Sequence, residues 1–316
     1  MQLPLSLVIE TKASLACLIL ANQGVHPLTH HYLIPALIAG LIQGIVEWLP
    51  VSSKTMITIY FTVIGIKVQN AYDLGLIANF GSFFAALYYF RVEVVKTIKA
   101  LAHPFSTDYY ARLLRFLFVA TLATGATGIP AFIVVRHAFS AVGGSAAMVV
   151  IGILLLFTGF VVRNKEKMVE RSQKAADGSD ASSGTGRVPG VGISVLTGAM
   201  QGLAGLPGIS RSGMTITPLL WYGFTAREAI RLSFMLDVLA LVGAGLVPLL
   251  IGHGGTAAVA QLGLTTTVLM VAVASVVSFL AISGVIRLAS RLRTSTATFA
   301  IAGITLVVAI LALMRV

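Results

Sequence analysis

The sequence predicts an all-α polytopic membrane protein of two inverted repeats, each a re-entrant hairpin of broken helices followed by three transmembrane helices. Three observations predict it. Of the 316 residues, 57% are apolar and only 10% charged, with a mean hydropathy of +0.94, whereas a soluble domain carries about 25% charged residues. Residues 40–56 (GLIQGIVEWLPVSSKTM) and 198–214 (GAMQGLAGLPGISRSGM) align without a gap at an offset of 158. The identical pairs are Gly40/Gly198, Gln43/Gln201, Gly44/Gly202, Ser52/Ser210 and Met56/Met214. The basic residues, finally, cluster at the ends of apolar runs, as cytoplasmic lysines and arginines do in membrane proteins.

Continuous apolar spans fall at 71–90, 113–135, 143–163, 229–251, 264–286 and 295–314. Each has the roughly 20 residues that a helix needs to cross a bilayer. Segments 33–66 and 190–224 are apolar but broken, near Pro50–Ser53 and Pro207–Gly213. Each is shorter than the roughly 40 residues of two crossings, so both are expected to turn back within the membrane. The domains are therefore an N-terminal extension over 1–32, repeat one over 33–163, a linker over 164–189 and repeat two over 190–316. The extension, whose apolar run is interrupted by Glu10 and Lys12, reads as interfacial. The linker is rich in Gly, Ser and Ala, and its end is expected to be disordered.

A hairpin plus three spans is an odd number of crossings, so the second repeat should be inverted. Charge gives an independent test. With the N-terminus outside, sixteen of the twenty-two Lys and Arg residues fall on one side, from Arg91 to Arg115, Arg163 to Arg187, Arg227 and Arg231, and Arg287 to Arg293. That side should be cytoplasmic, which puts both termini outside. The net charge of +11 therefore reads as topology, and no nucleic acid is expected as a partner. The lone Cys17 excludes an internal disulfide.

An ionisable residue inside a bilayer marks a functional site by default. Glu47 in the first hairpin and Arg211 in the second are the main candidates, with Asp237 in a later span. The offset of 158 pairs Asp237 with Asn79, so both should face one central site. In PGISRSG, a guanidinium beside helix-end amides and the hydroxyls of Ser210 and Ser212 suits a phosphate. Opposite it stand Glu47 and the pair Ser52–Ser53, the carboxylate and hydroxyls that phosphoryl transfer needs. The structural alternatives are hydroxyls that satisfy broken backbone and a Glu–Arg clamp. Gly40–Gly44 and Gly198–Gly202 read as close helix packing. The sequence from Gly208 to Gly213 is no nucleotide loop, because Met214 stands where a lysine is needed. His26, His30 and His31 have no evident ligand partner.

At QGIVEWLPVSSKTM and PGISRSGMT the chain resembles the undecaprenyl-diphosphate phosphatase family, the bacitracin-resistance type of membrane pyrophosphatase. That family carries an (E/Q)GxxE-x-LPxSSxGH-like first motif and a PGxSRSGxT second motif. The resemblance implies two inverted repeats and removal of the terminal phosphate of a polyprenyl diphosphate at the outer face, supported by a divalent cation, Mg or Ca. By position it implies catalytic roles for Glu47, Ser53 and Arg211, with Glu47 also holding the cation. Gln43, Ser52, Lys54, Ser210, Ser212, Thr215, Asn79 and Asp237 are expected to bind substrate. Met56 replaces the family's histidine, Lys54–Thr55 replace a small pair, and Asp237 stands where an apolar residue is usual. The expected partners are the polyprenyl lipid, the bilayer and a second copy in a homodimer. Phosphoserine formation and direct attack by water both stay open here. A second class also stays open, an alternating-access transporter or flippase of a lipid phosphate or small anion, since paired broken helices and a midplane acid are its parts too.

Overall fold

A computed structural model describes residues 31–49, 51–141, 144–177, 187–251, 254–289 and 294–314. The expectations for residues 1–30 (with His26 and His30), for Pro50 and for the linker at 178–186 lie outside the described residues. Among those described, all regular structure is helical. In chain order come α1 (Leu33–Val46), α2 (Ser53–Val63), α3 (Val68–Ile77), α4 (Asn79–Tyr89), α5 (Arg91–Lys99), a 3-10 turn (Ala100–Ala102) and α6 (Tyr109–Ala141). Then follow α7 (Gly144–Asp177), α8 (Val191–Leu203), α9 (Arg211–Trp221), α10 (Ala226–Leu250), α11 (Gly254–Leu262), α12 (Leu264–Ala289) and α13 (Thr294–Met314).

Segments of α6, α7, α10 and α12 are long and apolar enough to cross a membrane, which makes this a multi-pass membrane protein. Their outer faces carry Phe118, Leu122, Phe160, Val276 and Leu280, all exposed in the isolated chain and suited to lipid. The span expected at 295–314 falls on α13. The one expected at 71–90 is helical along its length, with a local tightening between α3 and α4 at Ala78, which keeps helical dihedrals and its bond to Leu74 O at 2.9 Å. Beside it, the Asn79 amide donates to Leu76 O at 3.0 Å and so competes with the helical ladder. Gly81 N then closes a tight turn onto Ala78 O at 3.0 Å. Outside the spans, Asp108 starts α6. Its carboxylate accepts from Ala111 N at 3.0 Å, which holds its pKa below the ordinary value.

Both broken segments fold as two helices joined by irregular backbone, α1 to α2 and α8 to α9. The first three helices start at 33, 53 and 68, and α8, α9 and α10 start at 191, 211 and 226, the same offset of 158 each time. The Gly pairs are where helices meet. Gly40 and Gly44 of α1 lie against α12, where an added Cβ would stand 2.6 Å from Met270 O and from Val277 Cβ. Gly198 and Gly202 of α8 lie against α6, whose Thr124 and Thr127 hydroxyls donate to Gly198 O and Ala199 O at 3.0 Å. Such close approach supplies van der Waals contact where lipid leaves little hydrophobic drive. The early helix α1 thus packs on the late helix α12, and the late α8 packs on α6. The two breaks meet through Lys54 with Ile209 O and Gly208 N with Thr55 Oγ1.

Candidate active site

The site is made where the two breaks meet. Ser52 and Ser210, 158 residues apart, are both N-cap residues with extended backbone, so Ser53 and Arg211 open α2 and α9. Each helix start presents amide groups without helical partners and a positive dipole end. Gly208 has φ +90° and lies on α7, where an added Cβ would meet Leu154 Cβ at 2.6 Å and Leu155 N at 2.9 Å. Only glycine suits both the backbone and the space.

Arg211 is the centre of the arrangement. Its Nη2 pairs with Glu47 Oε1, and its Nε lies 3.0 Å from Asp237 Oδ1. The other oxygen of Glu47 accepts from the Ser53 hydroxyl and, at 2.7 Å, from Gln43 Nε2. Gln43 Nε2 also stands 3.2 Å from Asn79 Oδ1 and 3.1 Å from Ser82 Oγ. Ser82 and Ser278 are 2.9 Å apart, which extends the network to α12. Glu47 and Asp237 thus each have the guanidinium beside them, as burial of charge requires, while Asp237 Oδ1 receives no hydrogen bond.

These groups form the polar end of a cavity of about 260 Å³. Glu47, Ser52, Ser53, Lys54, Asn79, Arg211 and Ser212 reach its wall. The rest is mainly apolar, with Leu76, Phe132, Leu239 and Val247 and the glycines Gly125 and Gly243 on α6 and α10. Of the residues expected to bind substrate, Gln43, Ser210, Thr215 and Asp237 stand behind this wall. Ser210 Oγ accepts from Gly213 N at 3.4 Å, as a helix cap. Thr215 Oγ1 faces Arg211 O at 3.1 Å and Ser233 Oγ at 2.5 Å.

Lys54, which reaches the cavity wall, is also bonded into the second break. Its ammonium donates to Ala204 O, to Ile209 O at 3.1 Å and to Ser52 Oγ at 3.4 Å. Tyr72 OH donates to Gly205 O at 2.5 Å, Gly208 N donates to Thr55 Oγ1 at 2.6 Å, and Thr158 Oγ1 donates to Gly208 O at 2.5 Å. Tyr72, Thr55, Thr158 and Ser82 were not foreseen from sequence. Only the offset could have drawn attention to the helix that carries Tyr72.

The fold and site therefore define a polytopic, all-helical membrane protein with an amphipathic cavity and a charged head end. A family model described as bacitracin resistance protein BacA matches residues 36–310, and the chain belongs to that family. The undecaprenyl-diphosphatase of Saccharolobus solfataricus is 34% identical over 261 residues, covering 82% of this chain and 89% of that protein. The undecaprenyl-diphosphatase of Haloarcula marismortui is 34% identical over 258 residues, 80% of this chain and 88% of its own. That of Methanopyrus kandleri is 34% identical over 280 residues, 88% of this chain and 97% of its own.

Proposed function

We propose that this protein is an integral-membrane phosphatase that hydrolyses an undecaprenyl-type polyprenyl diphosphate to the monophosphate and inorganic phosphate, recycling a lipid carrier. One observation carries the reading: Glu47, Ser53 and Arg211 converge on the wall of a cavity whose remaining lining is mainly apolar. A diphosphate headgroup suits the first region and the start of an isoprenoid chain suits the second. The names of the related proteins favour hydrolysis over the alternating-access carrier.

In this reading the two broken segments are re-entrant hairpins in inverted repeats, 33–163 and 190–316, joined by a cytoplasmic linker over 164–189. The shared offset of the helix starts supports the repeat, and the one-sided distribution of basic residues supports termini on the outside. The headgroup enters from the outer face. A homodimer is a further element of the proposal.

Arg211 binds the terminal phosphate, exchanging its contact with Glu47 for phosphate oxygens while Asp237 keeps hold of Nε. Glu47, freed from the guanidinium, accepts the proton of the Ser53 hydroxyl. Ser53 Oγ attacks the terminal phosphorus, the bridging P–O bond breaks, and polyprenyl monophosphate leaves. Glu47 passes that proton to the departing monophosphate, then takes one from the water that attacks the phosphoserine and returns it to Ser53 Oγ as the P–Oγ bond breaks, releasing phosphate and restoring both residues. Arg211 and the first amides of α2 and α9 stabilise the charge that develops on the phosphoryl oxygens.

A divalent cation fits this donor set. Glu47 offers a hard carboxylate oxygen, and Gln43 Oε1 is a buried oxygen without a hydrogen-bond donor. Among the described residues no three of His, Cys, Asp and Glu gather, so Mg or Ca would be held by Glu47 together with diphosphate oxygens. Bound there, the ion would neutralise phosphate charge. The test is phosphate release from a polyprenyl diphosphate by the purified protein in detergent, with Mg or Ca and with chelator. Turnover without any gradient supports the hydrolase. Movement of lipid phosphate in liposomes without hydrolysis would replace it with the carrier.

A further inference from the structure

We propose that Lys54 is a positioning residue that locks the second break and so fixes Arg211, rather than a ligand of the substrate phosphates. The inference rests on the reading of Arg211 as the phosphate-binding group. Its basis is the fate of the backbone between Ala204 and Ser210, which makes no helical ladder and stands inside the protein. Unpaired carbonyls there would be costly; Leu206 O and Ser210 O are met locally by Ile209 N and Met214 N, and Ala204 O, Gly205 O, Gly208 O and Ile209 O take donors from other elements.

The donors come from other elements, and Lys54 is the one that spans the break. Its ammonium reaches Ala204 O at one end and Ile209 O at the other, two residues before Arg211. With Ser52 Oγ as a third acceptor, its three protons are all used. Lys54 is only 8% exposed, so water replaces none of these contacts readily. A phosphate could take the ammonium only by stripping it from Ala204 O and Ile209 O, which have no other donor among the described residues. Thr55, Tyr72 and Thr158 complete the lock on Gly205, Gly208 and Ser210.

Charge agrees with this placement. Arg211 stands between two carboxylates, Glu47 and Asp237, and a single guanidinium leaves one negative charge over. Lys54, held by backbone carbonyls and in no ion pair with Glu47 or Asp237 among the described residues, draws neither carboxylate away from Arg211. Because Ser52 caps α2 while Ala204 and Ile209 belong to the second break, Lys54 joins both helix starts into one unit.

The experiment is amide hydrogen exchange over residues 204–210 of the full-length protein in detergent, with kinetics on a polyprenyl diphosphate. Lys54→Met should speed exchange in this segment by about tenfold or more while the rest of the chain is unchanged. Its kcat should fall by about tenfold to a hundredfold with KM little altered. If Lys54→Met does not fold, Thr55→Val removes the acceptor of Gly208 N–H and should speed exchange around Gly208 in a folded protein. A raised KM with kcat and exchange unchanged would make Lys54 a direct phosphate ligand and overturn the proposal. Unchanged exchange in Thr55→Val would overturn it as well. Absence of turnover in the wild type would count against the phosphatase alone, since the exchange measurement needs no activity.

Discussion

Glu47 and Arg211, 164 residues apart in the chain, form an ion pair at the meeting point of two broken helices, with Ser53 bonded to the same carboxylate. The pair is shielded from solvent, and removing Arg211 would strand two carboxylates, whereas removing Glu47 would leave the guanidinium with Asp237. In the proposed mechanism, a phosphate entering the site competes with Glu47 for the guanidinium and so releases the base.

Arg211→Lys should therefore lower kcat by about 10²–10³-fold, although the charge is kept. A lysine offers no planar fork to span Glu47 and Asp237, or later a phosphate. Initial rates of phosphate release at saturating lipid, with circular dichroism to verify folding, check this.

Ser53 and Ser52 should separate sharply. Ser53→Ala removes the hydroxyl on Glu47 and should cost about 10²–10⁴-fold in kcat. The Ser52 hydroxyl faces Thr55 at 2.7 Å, so Ser52→Ala should cost about tenfold or less. Acid-quench trapping of phosphate label on wild type but not on Ser53→Ala would identify the phosphoserine.

Gly208→Ala and Gly243→Ala form a contrast in stability. The first adds a Cβ at φ +90° against the backbone of α7, and should destabilise by about 1–3 kcal/mol or more. Around Gly243 an added Cβ meets nothing within 4 Å. Gly243→Ala should leave Tm unchanged, and thermal melts in one detergent compare the two.

Gly125 and Gly243 both line the apolar part of the cavity and both face open space. Gly243→Leu should fill that space, raising KM for a long polyprenyl diphosphate by about tenfold while Tm holds. A Leu variant with unaltered KM would remove the isoprenoid chain from this groove.

Much of this site was legible in the sequence, and the reason is physical. Pro, Gly and Ser inside apolar runs conflict with a continuous helix, so both breaks showed themselves, as did Glu47 and Arg211 as charges without an aqueous neighbour. The offset of 158 also led from Asn79 to Asp237, which proves to hold Arg211. Lys54 was legible as a cation near the site but not in its orientation, because carbonyls 150 residues away leave no trace in local pattern. Thr55, Tyr72 and Thr158 were hidden for the same cause: a hydroxyl that satisfies distant backbone resembles any other buried Thr or Tyr. The tightening of 71–90 at Ala78 lies beside one side-chain amide, Asn79, which apolar periodicity does not register.

The most direct measurement is a double-mutant cycle on kcat/KM for polyprenyl diphosphate hydrolysis, using Glu47→Gln, Arg211→Gln and the pair. If a single head group is assembled from both breaks, the two losses overlap strongly, with a coupling of about 1–3 kcal/mol. Losses that simply add, to within about 0.5 kcal/mol, would mean the two residues act in separate places and would contradict the account.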